Sequence, residues 1–221
     1  MTGARQFTAT GMAVRTAGIL FIFVIVFTGF LSAAYLWTKP AIEASAAEEK
    51  MKLVDEVLPR SEYDNALLED TITLPPTPEL NLPEPSTLYR ARKAGQPVAL
   101  VFEAVAPDGY AGKIRLVMAI RSNGQVAGVR VTQHKETPGL GDYIELKKDK
   151  NKAKPWITQF QSMSLADVSD KEWKVKKDGG RIEYYAGATV TPRAVSKAVF
   201  KAVKWAEANQ NQLFTTKDAK P

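Results

Sequence analysis

"KIRLVMAIRSNGQVAGVRVTQH", residues 113–134, reads as two strands folded back on one another. Asn123-Gly124 supplies the turn, because both residues tolerate positive φ. Val126, Val129 and Val131 keep a broken alternation along the second arm, and Gly128 marks a bulge. Upstream, "TLYRARK" (87–93) and "QPVALVFEAVA" (96–106), closed by the turn "PDGYAG", have the same strand character. Downstream, "EWKVKKDGGRIEYYAG" (172–187) reads as a further strand pair turning at Asp178-Gly179-Gly180. Last comes a helix, with Thr191 as N-cap and Pro192 at the first helical position. Val195, Ala198, Val199, Ala202, Val203 and Ala206 form its apolar stripe, opposite Lys197, Lys201 and Lys204. The expected fold class is α+β: a twisted, mainly antiparallel sheet packed by helices.

The other end of the chain differs in kind. "AGILFIFVIVFTGFLSAAYLW" (17–37) has no charge, and its 21 residues rise about 31 Å as a helix, enough to cross a bilayer core. Tyr35 and Trp37 mark its outer end, while Arg5 and Arg15 precede it without acids, which predicts an inside N-terminus. A cleaved signal peptide with "ASA" (44–46) as its site is the rival reading, but the apolar run exceeds a signal core. In a bacterial cell the anchor would lie in the inner membrane, in contact with lipid, with the main domain in the periplasm. The expected division is a cytoplasmic N-terminus at 1–16, the transmembrane helix at 17–37, a membrane-proximal helix and Pro-rich connector at 38–86, a folded domain at 87–214 and a tail at 215–221. Five prolines in the 14 residues of "TLPPTPELNLPEPS" (73–86) make the connector stiff and extended, running over the domain surface or setting its distance from the membrane.

The 221 residues contain no cysteine and one histidine, His134. Thiolate nucleophiles, iron–sulfur clusters and Cys/His zinc sites are excluded, so redox chemistry would need a cofactor held another way. A net charge of +6 without a basic stripe of stacking aromatics argues against nucleic acid. Lys147, Lys148, Lys150, Lys152 and Lys154 read as a solvated loop. No catalytic set and no metal site is legible.

Two stretches remain. "HKETPGLGD" (134–142) follows a strand; Pro138 presets its turn, and Gly139 and Gly141 leave backbone open beside Glu136, Thr137, Leu140 and Asp142. "AGATVTPRAV" (186–195) sets Thr189 and Thr191 where a helix begins, and Gly187 and Ala188 leave the Thr189 hydroxyl unshielded. The helix dipole there would favour a phosphate. On residues alone, a turn capped by Thr191 is the preferred reading.

Taken together and in this order behind one anchor, these stretches resemble the FMN-binding components of ion-translocating electron transport complexes, the RnfG (RsxG) type above all, across nearly the whole chain. The resemblance implies an FMN-binding domain at 87–214. It also implies FMN attached covalently to Thr189 through a phosphodiester by a dedicated flavin transferase, with the loop from Glu136 to Gly141 bordering the flavin together with Gly187, Ala188 and Thr191. The partners implied are the other components of the Rnf complex, and the role is electron transfer within a translocase rather than catalysis alone. The flavin-bearing C component of the sodium-pumping NADH:quinone reductase is the related alternative, and a flavin-free anchored binding module is another. Two positions depart from the family pattern: Ala186 replaces a Ser or Thr, and Glu183 stands where Asp is commoner.

Overall fold

The structure, a computed structural model, describes residues 9–216. Arg5 and most of the expected tail, 217–221, lie outside the described residues. The chain forms two compact units, residues 1–49 and 50–221.

The first unit holds most of helix α1 (Ala9–Val57). Over residues 17–37 the helix is apolar all round and its large side chains are open, Phe21 at 67% and Phe30 at 70%. Such a surface suits hydrocarbon rather than water, and the helix is long and apolar enough to cross a membrane.

The second unit is built on a five-stranded antiparallel meander: β1 (Thr71–Leu74), β2 (Ser86–Lys93), β3 (Gln96–Gly109), β4 (Gly112–Arg121) and β5 (Val126–Gln133), in that spatial order. The hairpin at 123–124 is present, with Gly124 at φ +81°. Helix α2 (Val190–Thr215) covers one face, burying its Val195–Ala206 stripe against Leu100, Phe102, Leu116 and Met118. On the other face lie Ala99, Val101, Val117, Ala119 and Ala127, under Val54, Val57, Leu58 and Tyr63. Both faces being covered explains why β3 reads as a nearly unbroken apolar run rather than an alternation.

Small residues on the second face let backbone seat on backbone. A Cβ on Gly128 would lie 2.6 Å from the Val57 carbonyl oxygen. The register also slips beside it, since Ala119 pairs with Gly128 and Ile120 with Val126.

Three expectations are corrected. The proline-rich stretch 73–86 is no free connector: it holds the end of β1, a 3₁₀ turn and a Thr77–Leu82 bridge, and it buries Leu74, Leu80 and Leu82 in the core. Its leucines outweigh the extending effect of its prolines. Residues 172–187 form no strand pair, only a single parallel bridge between Val175 and Ile182 around a 3₁₀ turn at Lys176–Asp178. Gly180 packs there so tightly that a Cβ would sit 2.0 Å from the Lys174 carbonyl oxygen, so the chain crosses itself instead of pairing. Helix α2 starts one residue before Thr191, which is therefore not the cap; Thr189 holds that position, and Pro192 is the third helical residue, where an amide N–H is still dispensable.

Candidate functional site

Three connections converge at one end of the sheet: the β3–β4 turn, the loop after β5 and the start of α2. Between them lies a cleft with a cavity volume of about 140 Å³, lined by Tyr110, Glu136, Thr137, Leu140, Gly141, Gly187, Ala188, Thr189, Val190 and Thr191. Pro138 is not on its wall. Gly139 faces a neighbouring cleft with Ala186, Tyr143 and Tyr185, and Leu140 lines both.

Glu136 ties the three connections together. It is only 4% exposed. Its Oε1 accepts the Ala111 N–H at 3.0 Å from the β3–β4 turn, and its Oε2 accepts the Thr191 hydroxyl from α2. Gly141 must lack a side chain for this pair to form, because a Cβ there would come within 2.9 Å of Glu136 Oε2 and 3.1 Å of Thr191 Oγ1. The loop itself is closed by Gly141 N–H on the Thr137 carbonyl at 3.0 Å and by Gly139 N–H on Asp142 at 2.8 Å, with Gly139 at φ +74°.

His134 braces this loop. Its Nδ1 accepts the Glu136 N–H at 3.0 Å, which leaves the proton on Nε2 to face Glu145 at 3.2 Å. Glu145 is held below the ordinary glutamate range: burial works the other way, but hydrogen bonds from Lys148 and His134 outweigh it. With both ring nitrogens engaged, His134 is a structural residue, and the described residues contain no cluster that could hold a metal ion.

The two threonines have opposite fates. Thr191 is 1% exposed and its hydroxyl is committed to Glu136. Thr189 is half-buried on the cleft wall, at the N-terminus of α2 where N–H groups stand open, and its side chain makes no capping bond.

The segment before Thr189 is held from below by residues that sequence reading missed. The Tyr143 hydroxyl donates to the Ala188 carbonyl at 3.2 Å, Trp156 Nε1 donates to the Glu183 carbonyl at 2.6 Å, and Gln159 accepts the Glu183 N–H at 2.8 Å. Burial raises the Tyr143 phenol well above its usual range. Tyr185 packs on Tyr143 with ring centroids 4.3 Å apart, and burial together with the Asp149 carboxylate pushes its phenol up to about 12. Glu183 points outward to Lys176. Ala186 is exposed beside the second cleft.

Exposure marks the same place. Beyond α1, the large apolar side chains described as exposed are Tyr110, Leu140, Tyr185 and Val190, and all border these two clefts. An apolar surface that converges on one concave spot, rather than scattering, marks a binding site.

The apolar cleft at the N-terminus of α2 has the form of a small-ligand site, and residues 109–204, which hold all three of its connections, match the FMN-binding domain family. Residues 9–57 match the RnfG N-terminal region. The chain is similar to the G subunit of the ion-translocating oxidoreductase complex of Pseudomonas aeruginosa, 41% identical over 205 residues covering 93% of this chain and 94% of that protein. It is similar to the same subunit of Pseudoalteromonas atlantica, 39% over 197 residues covering 89% of each, and of Vibrio cholerae, 39% over 202 residues covering 91% and 94%. The chain belongs to the G-subunit family of ion-translocating oxidoreductase complexes.

The residues present fit FMN. Tyr110, Leu140 and Val190 offer apolar walls to a ring system, while the start of α2 offers N–H groups to a phosphate. The cavity is smaller than the roughly 300–1,000 Å³ of sites that enclose a whole ligand. It would therefore leave part of the ring system outside the cleft.

Proposed function

We propose that this chain is a membrane-anchored electron carrier whose FMN is joined to Thr189 by a phosphodiester, working in a complex that couples electron transfer to ion translocation. The observation that carries the reading is the Thr189 hydroxyl, uncommitted on the cleft wall two residues from a threonine locked onto Glu136. Attachment uses that hydroxyl: Thr189 Oγ takes the FMN phosphorus of FAD, AMP leaves, and the hydroxyl proton passes to a base on the flavin transferase.

Bound there, FMN would supply one- and two-electron chemistry to a chain without cysteines. Leu140, Val190 and Tyr110 would shield one side of it, and the α2 amides would face its phosphate. Residues 17–37 would form the membrane span, with 1–16 cytoplasmic and the FMN-binding domain, 87–214, in the periplasm of a bacterial inner-membrane complex. The other complex subunits would be its redox partners. A tethered cofactor cannot be lost to the surrounding volume, and partial enclosure leaves an edge for partners to reach.

Expressing the full chain with a flavin transferase tests the reading. Intact mass and flavin fluorescence after denaturation should show one FMN adduct in wild type and Thr191→Val, and none in Thr189→Ala. An adduct retained in Thr189→Ala, or an unlabelled wild type beside a labelled control substrate, would refute it. The second result would favour the flavin-free binding module, for which Ala186 in the recognition stretch is the supporting observation.

A further inference from the structure

We propose that the face around Tyr185 is a docking surface for a protein partner with an acidic surface, which it guides to the cleft at Thr189. The proposal takes its purpose from the electron-carrier reading above, but its evidence is separate.

The loop 147–154 carries five lysines and one acid, Asp149. That acid is 0% exposed. Its carboxylate accepts the Asn151 N–H at 2.9 Å, the Trp156 N–H and the Tyr185 hydroxyl at 2.8 Å. Asn151 in turn accepts the Lys154 N–H at 3.1 Å. The one group that could neutralise the loop from within is thus turned inward and used to brace it. Lys148 is paired with Glu145 at 2.9 Å, but Lys147, Lys150, Lys152 and Lys154 are exposed with no carboxylate partner among the described residues. Like charges held in a fixed array repel one another at a cost in stability. A loop that was merely solvated would gain nothing from being held this way.

The array lies beside the site. Lys148 and Lys150 border the second cleft, of about 400 Å³, and Lys154 borders a further one of about 730 Å³. Tyr185 lines both, and Leu140 joins the second to the cleft at Thr189. An apolar centre with a charged rim is the anatomy of a transient protein interface, and the rim charge sets encounter rate and partner choice. The apolar side chains line concavities rather than a ridge, which fits protruding side chains of a protein better than a flat headgroup layer.

The chain has no cysteine, so Lys150→Cys places a single thiol on this face and Lys201→Cys a single thiol on the exposed side of α2. The full chain, assembled in its membrane complex and recovered by co-purification, is treated with a short thiol-anchored photo-cross-linker. Position 150 is expected to join a segment of another subunit rich in Asp and Glu, and position 201 to join none. The yield should fall several-fold between about 50 and about 500 mM salt, as the screening length shortens. Adding Lys148→Glu with Lys154→Glu should abolish the cross-link, and the milder Lys148→Gln with Lys154→Gln should weaken it while sparing assembly. Thr189→Ala should leave it intact, so that a failure of the attachment reading and a failure of docking give different results. A complex that assembles with no protein cross-link from position 150 overturns the proposal. So does a cross-link to lipid alone, one indifferent to salt and charge reversal, or one lost in Thr189→Ala.

Discussion

Removing the Glu136 carboxylate should unfasten the site from three sides at once, and the structure gives the size of the effect. Glu136→Ala strands two donors. The Thr191 hydroxyl is 1% exposed and has no other acceptor among the described residues, whereas Ala111 is exposed and water can take its N–H. Hydrogen bonds to charged groups contribute about 1.5–3 kcal/mol each. Discounting the solvated one gives about 2–4 kcal/mol, or about 4–16 °C in Tm for a domain of this size. Glu136→Gln is the informative partner. Its carbonyl oxygen can go on accepting the Thr191 hydroxyl, while its amide turns toward the Ala111 N–H, which is exposed and can pass to water. The loss should then stay below about 1 kcal/mol. Thermal unfolding of residues 50–221, a compact unit of its own, would measure both. Equal losses in Gln and Ala would show that charge, not this hydrogen-bond geometry, holds the site. A loss under about 2 °C in Ala would show that Glu136 does not hold it at all.

Three other perturbations follow from particular contacts. Gly128→Ala drives a methyl to 2.6 Å from the Val57 carbonyl, which should cost about 1–3 kcal/mol and lower Tm by about 2–12 °C; an unchanged Tm would mean that the backbone there is free to yield. Glu62 is held below the ordinary glutamate value of 4.5 by hydrogen bonds from Arg121 at 2.8 Å each, with burial opposing and the charges of Arg121 and Lys93 helping. A depressed folded pKa stabilises above the unfolded value and stops doing so as pH falls through the folded one. Glu62→Gln should therefore lower Tm by about 1–4 °C at neutral pH, a screened and partly exposed pair being worth about 0.5–1 kcal/mol, and the gap should close in acid rather than widen. Ala186→Ser restores the hydroxyl usual in the family and should raise the initial rate of flavin attachment about 2–10-fold, the contribution of one hydrogen bond; equal rates would free Ala186 of any part in recognition.

What the sequence disclosed followed from how local the cause was. The 123–124 hairpin, the apolar helix and the α2 stripe each rest on residues within one element, and each is legible from periodicity and turn chemistry. The proline-rich stretch misled because its composition speaks of extension, while its folding depends on where Leu74, Leu80 and Leu82 find cover, which is a tertiary matter. The segment 172–187 misled because Gly179-Gly180 signals a turn without saying whether the arms pair or cross. In the site, the open glycines and hydroxyls were visible in the chain. Tyr110 and Val190 on the cleft wall were not, nor were Tyr143 and Trp156 beneath it, because isolated aromatic or branched residues carry no spacing signal. Only their exposure or burial in the fold singles them out.

The sharpest case is the pair of threonines. Read along the chain, Thr191 is the better cap, since a proline follows it and the apolar stripe begins beyond. The Thr191 hydroxyl is unavailable as a cap because it already has a partner, which lies 55 residues away in sequence. A buried carboxylate at 136 takes the Thr191 hydroxyl, and the absence of a side chain at 141 makes room for it to do so. The helix begins at Val190, with Thr189 in the cap position and no capping bond from its side chain. One long-range hydrogen bond thus explains why Thr191 is not the cap. It follows that Gly141→Ala should perturb α2 at its first turn as well as the loop it sits in, since the same bond reports on both.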